Sequence, residues 1–174
     1  MNVAQTKTAA ERAYVRFMMG VVGRSLVSTS QIDPEVRHEL AALPAGYTVQ
    51  MMVMPSGPSF TTQVTRDHTL LLLPRFGGKA DLCVRFKHMT HGFLVFSFQE
   101  GTARAFANDR MYIDGDVSDA LRVVRCLSRM EALILPKLVA MRAVKRYPAI
   151  ALPQKINLAA RIYLRFAANL WKGN

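Results

Sequence analysis

Met111-Tyr-Ile-Asp-Gly-Asp-Val-Ser-Asp-Ala-Leu121 is the stretch whose reading decides the fold. Met111 and Ile113 share one face of a short strand, Gly115 supplies a residue free of φ restriction at a turn, and Asp116 is placed to cap a helix. Asp119 then falls at N3, where a carboxylate favours the positive helix end. Outward toward the C-terminus, Val117, Ala120, Leu121, Val124, Leu127, Met130 and Ile134 recur at three- and four-residue spacing, while Arg122, Arg125 and Arg129 gather on another side. This predicts a long amphipathic helix with one buried and one solvated face. Outward toward the N-terminus, Leu82, Val84 and Phe86 alternate with Asp81, Cys83, Arg85 and Lys87, which predicts a half-buried sheet strand.

The flanking segments follow the same logic. Residues 9–26 predict a helix that Gly20 and Gly23 weaken, and residues 30–43 a shorter one with Ser30 as cap and Pro34 near its first turn. From Tyr47 the period changes to two, and strands over 47–54, 60–65 and 69–73 predict an antiparallel meander. Residues 91–98, with Thr90 as cap, and 102–107 predict two short helices. Beyond the long helix, 136–147 reads as a basic helix. Residues 154–172 read as another, whose thin polar stripe is Asn157, Arg161, Arg165 and Asn169 and whose remainder, including Ile156, Ile162, Tyr163, Phe166, Leu170 and Trp171, is apolar. A helix so apolar is expected to bury most of its circumference in the domain, a partner or a membrane surface.

At 174 residues and 51% hydrophobic composition, the chain holds one ordinary domain with extensions. Two cysteines, Cys83 and Cys126, are too few for a disulfide scaffold and lack metal-like spacing, so a reducing compartment is expected. Neither a secretory-signal layout nor a bilayer-spanning stretch is legible, which predicts a cytoplasmic protein or one peripheral to a membrane. The net charge of +11 lies entirely at the ends: residues 1–30 carry +3, residues 31–131 carry zero, and residues 132–174 carry +8 without a single acid. Such ends suit docking on something anionic.

Sheet strands followed by Ala-Asp-Leu-x-Val-x-Phe, a Phe-rich segment, Gly-x-Ala-x-Ala-Phe, the Met-x-Ile-Asp-Gly-Asp turn and an amphipathic helix resemble the sterol carrier protein 2 (SCP2-like) family. The positions that carry the resemblance are Asp81, Leu82, Val84, Phe86, Gly101, Ala105, Phe106, Met111, Ile113, Gly115, Asp116, Ala120 and Leu121, within residues 35–131. The resemblance implies an α+β fold, a five-stranded, mostly antiparallel sheet with helices on one face, and an apolar tunnel for a lipid, fatty acyl chain or sterol. It implies binding and presentation without catalysis and without a cofactor. Some bacterial relatives act as accessory factors in isoprenoid quinone synthesis. On this reading residues 1–34 are a helical extension, 35–131 the lipid-binding domain and 132–174 a basic amphipathic extension.

The tunnel lining expected from these patterns is Met51, Val53, Phe86, Phe93, Phe96, Phe106, Met111, Ile113, Leu121, Val124 and Leu127, each of which also suits an ordinary core. Ten methionines fit a wall that adapts to varied apolar ligands. Docking on an anionic membrane surface, or on a membrane-associated complex, is expected through Lys137, Arg142, Lys145, Arg146, Lys155, Arg161, Arg165, Trp171 and Lys172. A nucleic-acid binder would more often pair its cations with polar and aromatic readers than with Leu, Ile and Ala. His88 and His91 lack a supporting Glu or Cys and are expected on a surface loop, with no metal site; Asp114, Asp116 and Asp119 are explained by the turn and the cap. No Gly-x-Ser-x-Gly, phosphate loop or dinucleotide fingerprint appears. The competing reading is a structural subunit of a membrane-associated enzyme complex, with no exchangeable ligand.

Overall fold

The computed structural model describes residues 3–136, 139–140 and 150–171. Its sheet has five strands: β1 (Thr48–Val53), β2 (Ser59–Val64), β3 (Leu70–Leu73), β4 (Leu82–Phe86) and β5 (Met111–Asp114), ordered β3-β2-β1-β4-β5. β1, β2 and β3 form the expected meander, and β4 pairs antiparallel with β5. Only β1 and β4 run parallel, Met51 opposite Val84 and Val53 opposite Phe86. Because β2 occupies one side of β1, the chain leaves β3 and reaches the other side of β1 through a loop, arriving in the same direction. The α+β class, the strand number and the mostly antiparallel pairing agree with the sequence reading.

The helices are α1 (Val3–Ile32), α2 (Pro34–Leu40), α3 (Met89–Phe96), α4 (Thr102–Ala107), α5 (Val117–Ile134) and α6 (Leu152–Trp171). They cover the sheet face that presents Val49, Met51, Val53, Leu82, Val84, Phe86 and Met111. The opposite face is polar: the Arg85 guanidinium bonds Asp114 at 3.0 Å and lies over the Tyr112 ring, and Gln50 donates to the Thr61 hydroxyl. Cys83, expected on the solvated side of β4, is buried under Gln50 and Arg85 of that network.

α1 departs most from expectation. The glycines do not break it, and the helix runs for 30 residues. At Gly23 an added Cβ would stand 3.1 Å from the Phe60 ring, so the missing side chain lets α1 lie close on β2. Val15, Met19, Leu26 and Val27 of this helix are buried in the core. The segment expected as an extension therefore supplies a large share of the cover over the sheet. Ser30, expected as the α2 cap, sits inside α1: its hydroxyl donates to the Val27 carbonyl and accepts from the Leu70 amide at 2.9 Å, fastening α1 to β3. Asp33 is the cap instead, its side chain accepting from the amides of Glu35 and Val36.

The turn from β5 into α5 forms as read. Gly115 has φ +139°, and a Cβ there would stand 2.7 Å from the Asp81 carbonyl oxygen. Asp116 accepts from the Ser118 and Asp119 amides, and Asp119 accepts from the Tyr47 hydroxyl. Two details of α5 differ. Its buried face is Ala120, Val123, Cys126, Met130, Ala132 and Leu133, so Val117 and Leu121 turn to solvent. The arginine side is clamped to α2, through Arg125 and Arg122 to Glu39 and through Arg129 to Asp33 and Glu35. α3 begins after His88 rather than at a Thr90 cap, which puts His91 in its first turn instead of a loop. The basic helix expected over 136–147 lies almost wholly outside the described residues.

Candidate functional site

An apolar cavity of ≈ 100 Å³ lies between the covered sheet face and the helices. α1 contributes Met18, Val21, Val22 and Ser25, one stripe at helical spacing, and the sheet contributes Met51 and Phe86. The end of α3 and the start of α4 close one side with Val95, Phe96, Phe98 and Thr102, and the C-terminal end of α5 closes another with Leu127, Met130, Glu131, Ile134 and Leu135.

Of the expected lining residues, Met51, Phe86, Phe96 and Leu127 stand in this wall. Val53 and Met111 are buried in the adjoining core, with Phe93 and Ile113 packed half-buried against it. Val124 is half-buried outside the wall. Phe106 and Leu121 point outward, 53% and 54% exposed. On α4 it is Ala105 that faces in, and its successor is turned away by about 100°. Leu121 follows the inward Ala120 in the same way. The α1 wall was missed because α1 was read as an extension, although Met18, Val22 and Ser25 carry the periodicity that would have revealed it. Glu131 was missed because a lone acid near a helix end ordinarily meets water.

Glu131 is the exceptional member of the wall. Burial pushes its carboxyl up from 4.5 to about 7, and among the described residues no charged or hydrogen-bonding group acts on it. The sign of the effect on stability follows from linkage. A carboxyl with a raised folded pKa holds its proton more tightly in the folded state, so it imposes no penalty below about pH 4.5, a growing one as pH rises toward 7, and a constant one above. The full penalty is about 3 kcal/mol. Glu131→Gln should therefore raise the unfolding free energy by roughly that amount at about pH 8 and by little near pH 4.5. Urea unfolding at the two pH values checks this; an equal gain at both would contradict it.

α6 packs on α1 and α5 through Leu158, Ile162, Phe166 and Asn169, the last donating to the Ser28 hydroxyl. Only Ile162 among these is fully buried. Leu152, Ile156, Tyr163, Leu164 and Trp171 are exposed, Trp171 by 94%. At 3.6 residues per turn these five fall within one arc of about 120°, beside the inward face. Arg161 and Arg165 are exposed on the far edge, Arg165 donating to the Gln31 side chain at 2.6 Å. Lys155 donates to the Leu135 carbonyl at 2.9 Å. Lys137, Arg142, Lys145, Arg146 and Lys172 lie outside the described residues. Among the described residues, no helix is long and apolar enough to cross a membrane and no cluster of three or more His, Cys, Asp or Glu is placed to hold a metal ion.

No family model matches the chain, and no curated protein matches it. Solved structures do. The chain is similar to the UbiJ-SCP2 ubiquinone synthesis protein at 15% identity and a TM-score of 0.47, over 66% of this chain and 95% of that one. Likeness to sterol carrier protein 2 from Yarrowia lipolytica, in its apo form, is at 13% identity and a TM-score of 0.44, over 66% and 93%. A third, sterol carrier protein 2 from Aedes aegypti in complex with palmitate, is at 11% identity and a TM-score of 0.33, over 57% and 94%. These are distant likenesses of fold. The SCP2 resemblance read from the strand, turn and helix pattern is met again among these structures.

Proposed function

We propose that the protein binds an apolar ligand in the cavity between α1, α5 and the sheet, and docks through α6 on an anionic membrane surface to load or deliver it, without catalysing a reaction on it. The cavity carries this reading. A volume of ≈ 100 Å³ is below the roughly 300–1,000 Å³ of pockets that enclose whole drug-sized ligands. Met18, Met51 and Met130 stand in its wall, however, and flexible thioethers repack readily around a longer chain. Lipids, sterols, fatty acyl chains and isoprenoid quinones all fall within the ligand class, and an accessory role in lipid or quinone metabolism would use such a carrier.

Docking is supported by the outer face of α6, where apolar and aromatic side chains lie beside exposed arginines. Exchange is supported by how α6 is held. Tyr163 donates to the Ile134 carbonyl at 2.7 Å and Lys155 to that of Leu135, so two rungs of the cavity wall are fastened to the helix that would enter the membrane interface. Movement of α6 into that interface would loosen this end of the wall and open a path for the ligand.

Filling the cavity tests the proposal. Leu127→Trp should reduce uptake of a fluorescent neutral lipid by at least about tenfold while overpacking costs only about 1–3 kcal/mol of stability. Undiminished uptake by a folded Leu127→Trp protein would place the ligand elsewhere or remove it from the account.

A further inference from the structure

We infer that Glu131 selects the head of the ligand, so that the cavity accepts a neutral lipid bearing a hydroxyl and rejects the carboxylate of a free fatty acid. The inference rests on the proposed reading that the cavity holds an apolar ligand. Three polar side chains interrupt the apolar wall: Ser25 of α1, Thr102 of α4 and Glu131 of α5. Among the described residues, no hydrogen bond or ion pair reaches the Glu131 carboxyl and no Lys, Arg or His lines the cavity. The Ser25 hydroxyl, on a residue only 5% exposed, has no hydrogen-bond partner among the described residues either.

Buried polar groups are nearly always hydrogen-bonded, because leaving one unpaired in an apolar surround costs free energy. The other buried hydroxyls of α1 follow that rule: Ser28, Thr29 and Ser30 all donate to carbonyls within the helix. The Ser25 hydroxyl and the half-buried Glu131 carboxyl instead open on the cavity, where a ligand head can pair with them. The sign of the charge narrows the class. A fatty-acid carboxylate would place a second anion in a poorly screened space where no described residue offers a cation to offset it, which raises the free energy of binding and drives one of the two groups to take up a proton. A hydroxyl meets no such barrier: it donates to the carboxylate when Glu131 is ionised and accepts from the acid when it is protonated. The ligand class is therefore the long-chain alcohols, sterols and phenols.

Competition against bound retinol, whose fluorescence reports displacement, tests this with lauryl alcohol and laurate at about pH 8, where Glu131 is largely ionised. The alcohol should displace retinol at least about tenfold more effectively than laurate. In Glu131→Gln, which keeps the side-chain shape and removes the charge, laurate should gain about tenfold while the alcohol changes less than about threefold. Equal competition by the two lipids in the unsubstituted protein, or a laurate affinity unmoved by Glu131→Gln, would overturn the inference while leaving the cavity reading intact. Failure of retinol to bind at all would overturn both.

Discussion

Replacing Asp33 by alanine should lower the unfolding free energy by about 3–5 kcal/mol, a large part of the stability of a domain this size. Asp33 is 0% exposed and its carboxylate does two things at once. One oxygen caps α2, accepting from the Glu35 amide at 2.7 Å; the other meets the Arg129 Nε at 3.0 Å. Arg129 is itself only 12% exposed, and its remaining partner, Glu35, stands largely in water. Alanine thus removes a cap, worth about 1 kcal/mol, and leaves a guanidinium inside with a poorly placed counter-charge. Asn at the same position keeps a capping oxygen and should recover part of the loss. Urea unfolding measures both variants, and a loss below about 1 kcal/mol for Asp33→Ala would show that the α1–α2–α5 corner does not depend on this pair.

Reversing Arg161 and Arg165 together to glutamate should weaken association with anionic vesicles by about two orders of magnitude at low salt, since each basic residue near such a surface contributes about 1 kcal/mol and each reversal also adds repulsion. Raising the salt should shrink the difference, because these charges are exposed and screened. The fold should tolerate the change: among the described residues, the only hydrogen bond made by either side chain is the exposed one from Arg165 to Gln31. Vesicle co-sedimentation at two salt concentrations reads the effect. Salt-independent or absent association would remove membrane docking from the proposal. Light scattering would then ask whether the exposed apolar arc of α6 holds a second copy or a protein partner.

The legible parts of the fold were those where local chemistry and tertiary packing agree. The Gly115–Asp116 turn needs a glycine at positive φ and a capping carboxylate, and both requirements are visible in five residues. The strand alternation at Leu82, Val84 and Phe86 fixed which face meets the helices. The illegible parts depended on contacts across long separations. Gly20 and Gly23 lower helix propensity, but α1 is held by packing on the sheet, which outweighs a loss of about 1 kcal/mol per glycine. The parallel pairing of β1 with β4 depends on where the loop from β3 returns. The inward placement of Met51, Phe86, Phe96 and Leu127 was legible because large apolar side chains on inward faces are seldom elsewhere. Phe106 and Leu121 show the limit of that rule, as each follows a small inward alanine. Glu131 carries no sequence signal at all; only its position at the cavity sets it apart.

The central claim, that the cavity is built to hold a lipid-like molecule, is tested most directly by native mass spectrometry of the purified protein, followed by organic extraction and identification of what is released. The account predicts a stoichiometric adduct whose mass matches a neutral lipid, lost in Leu127→Trp. A protein that emerges without any adduct and then takes up neither retinol nor lauryl alcohol would contradict it, leaving the apolar wall as ordinary core.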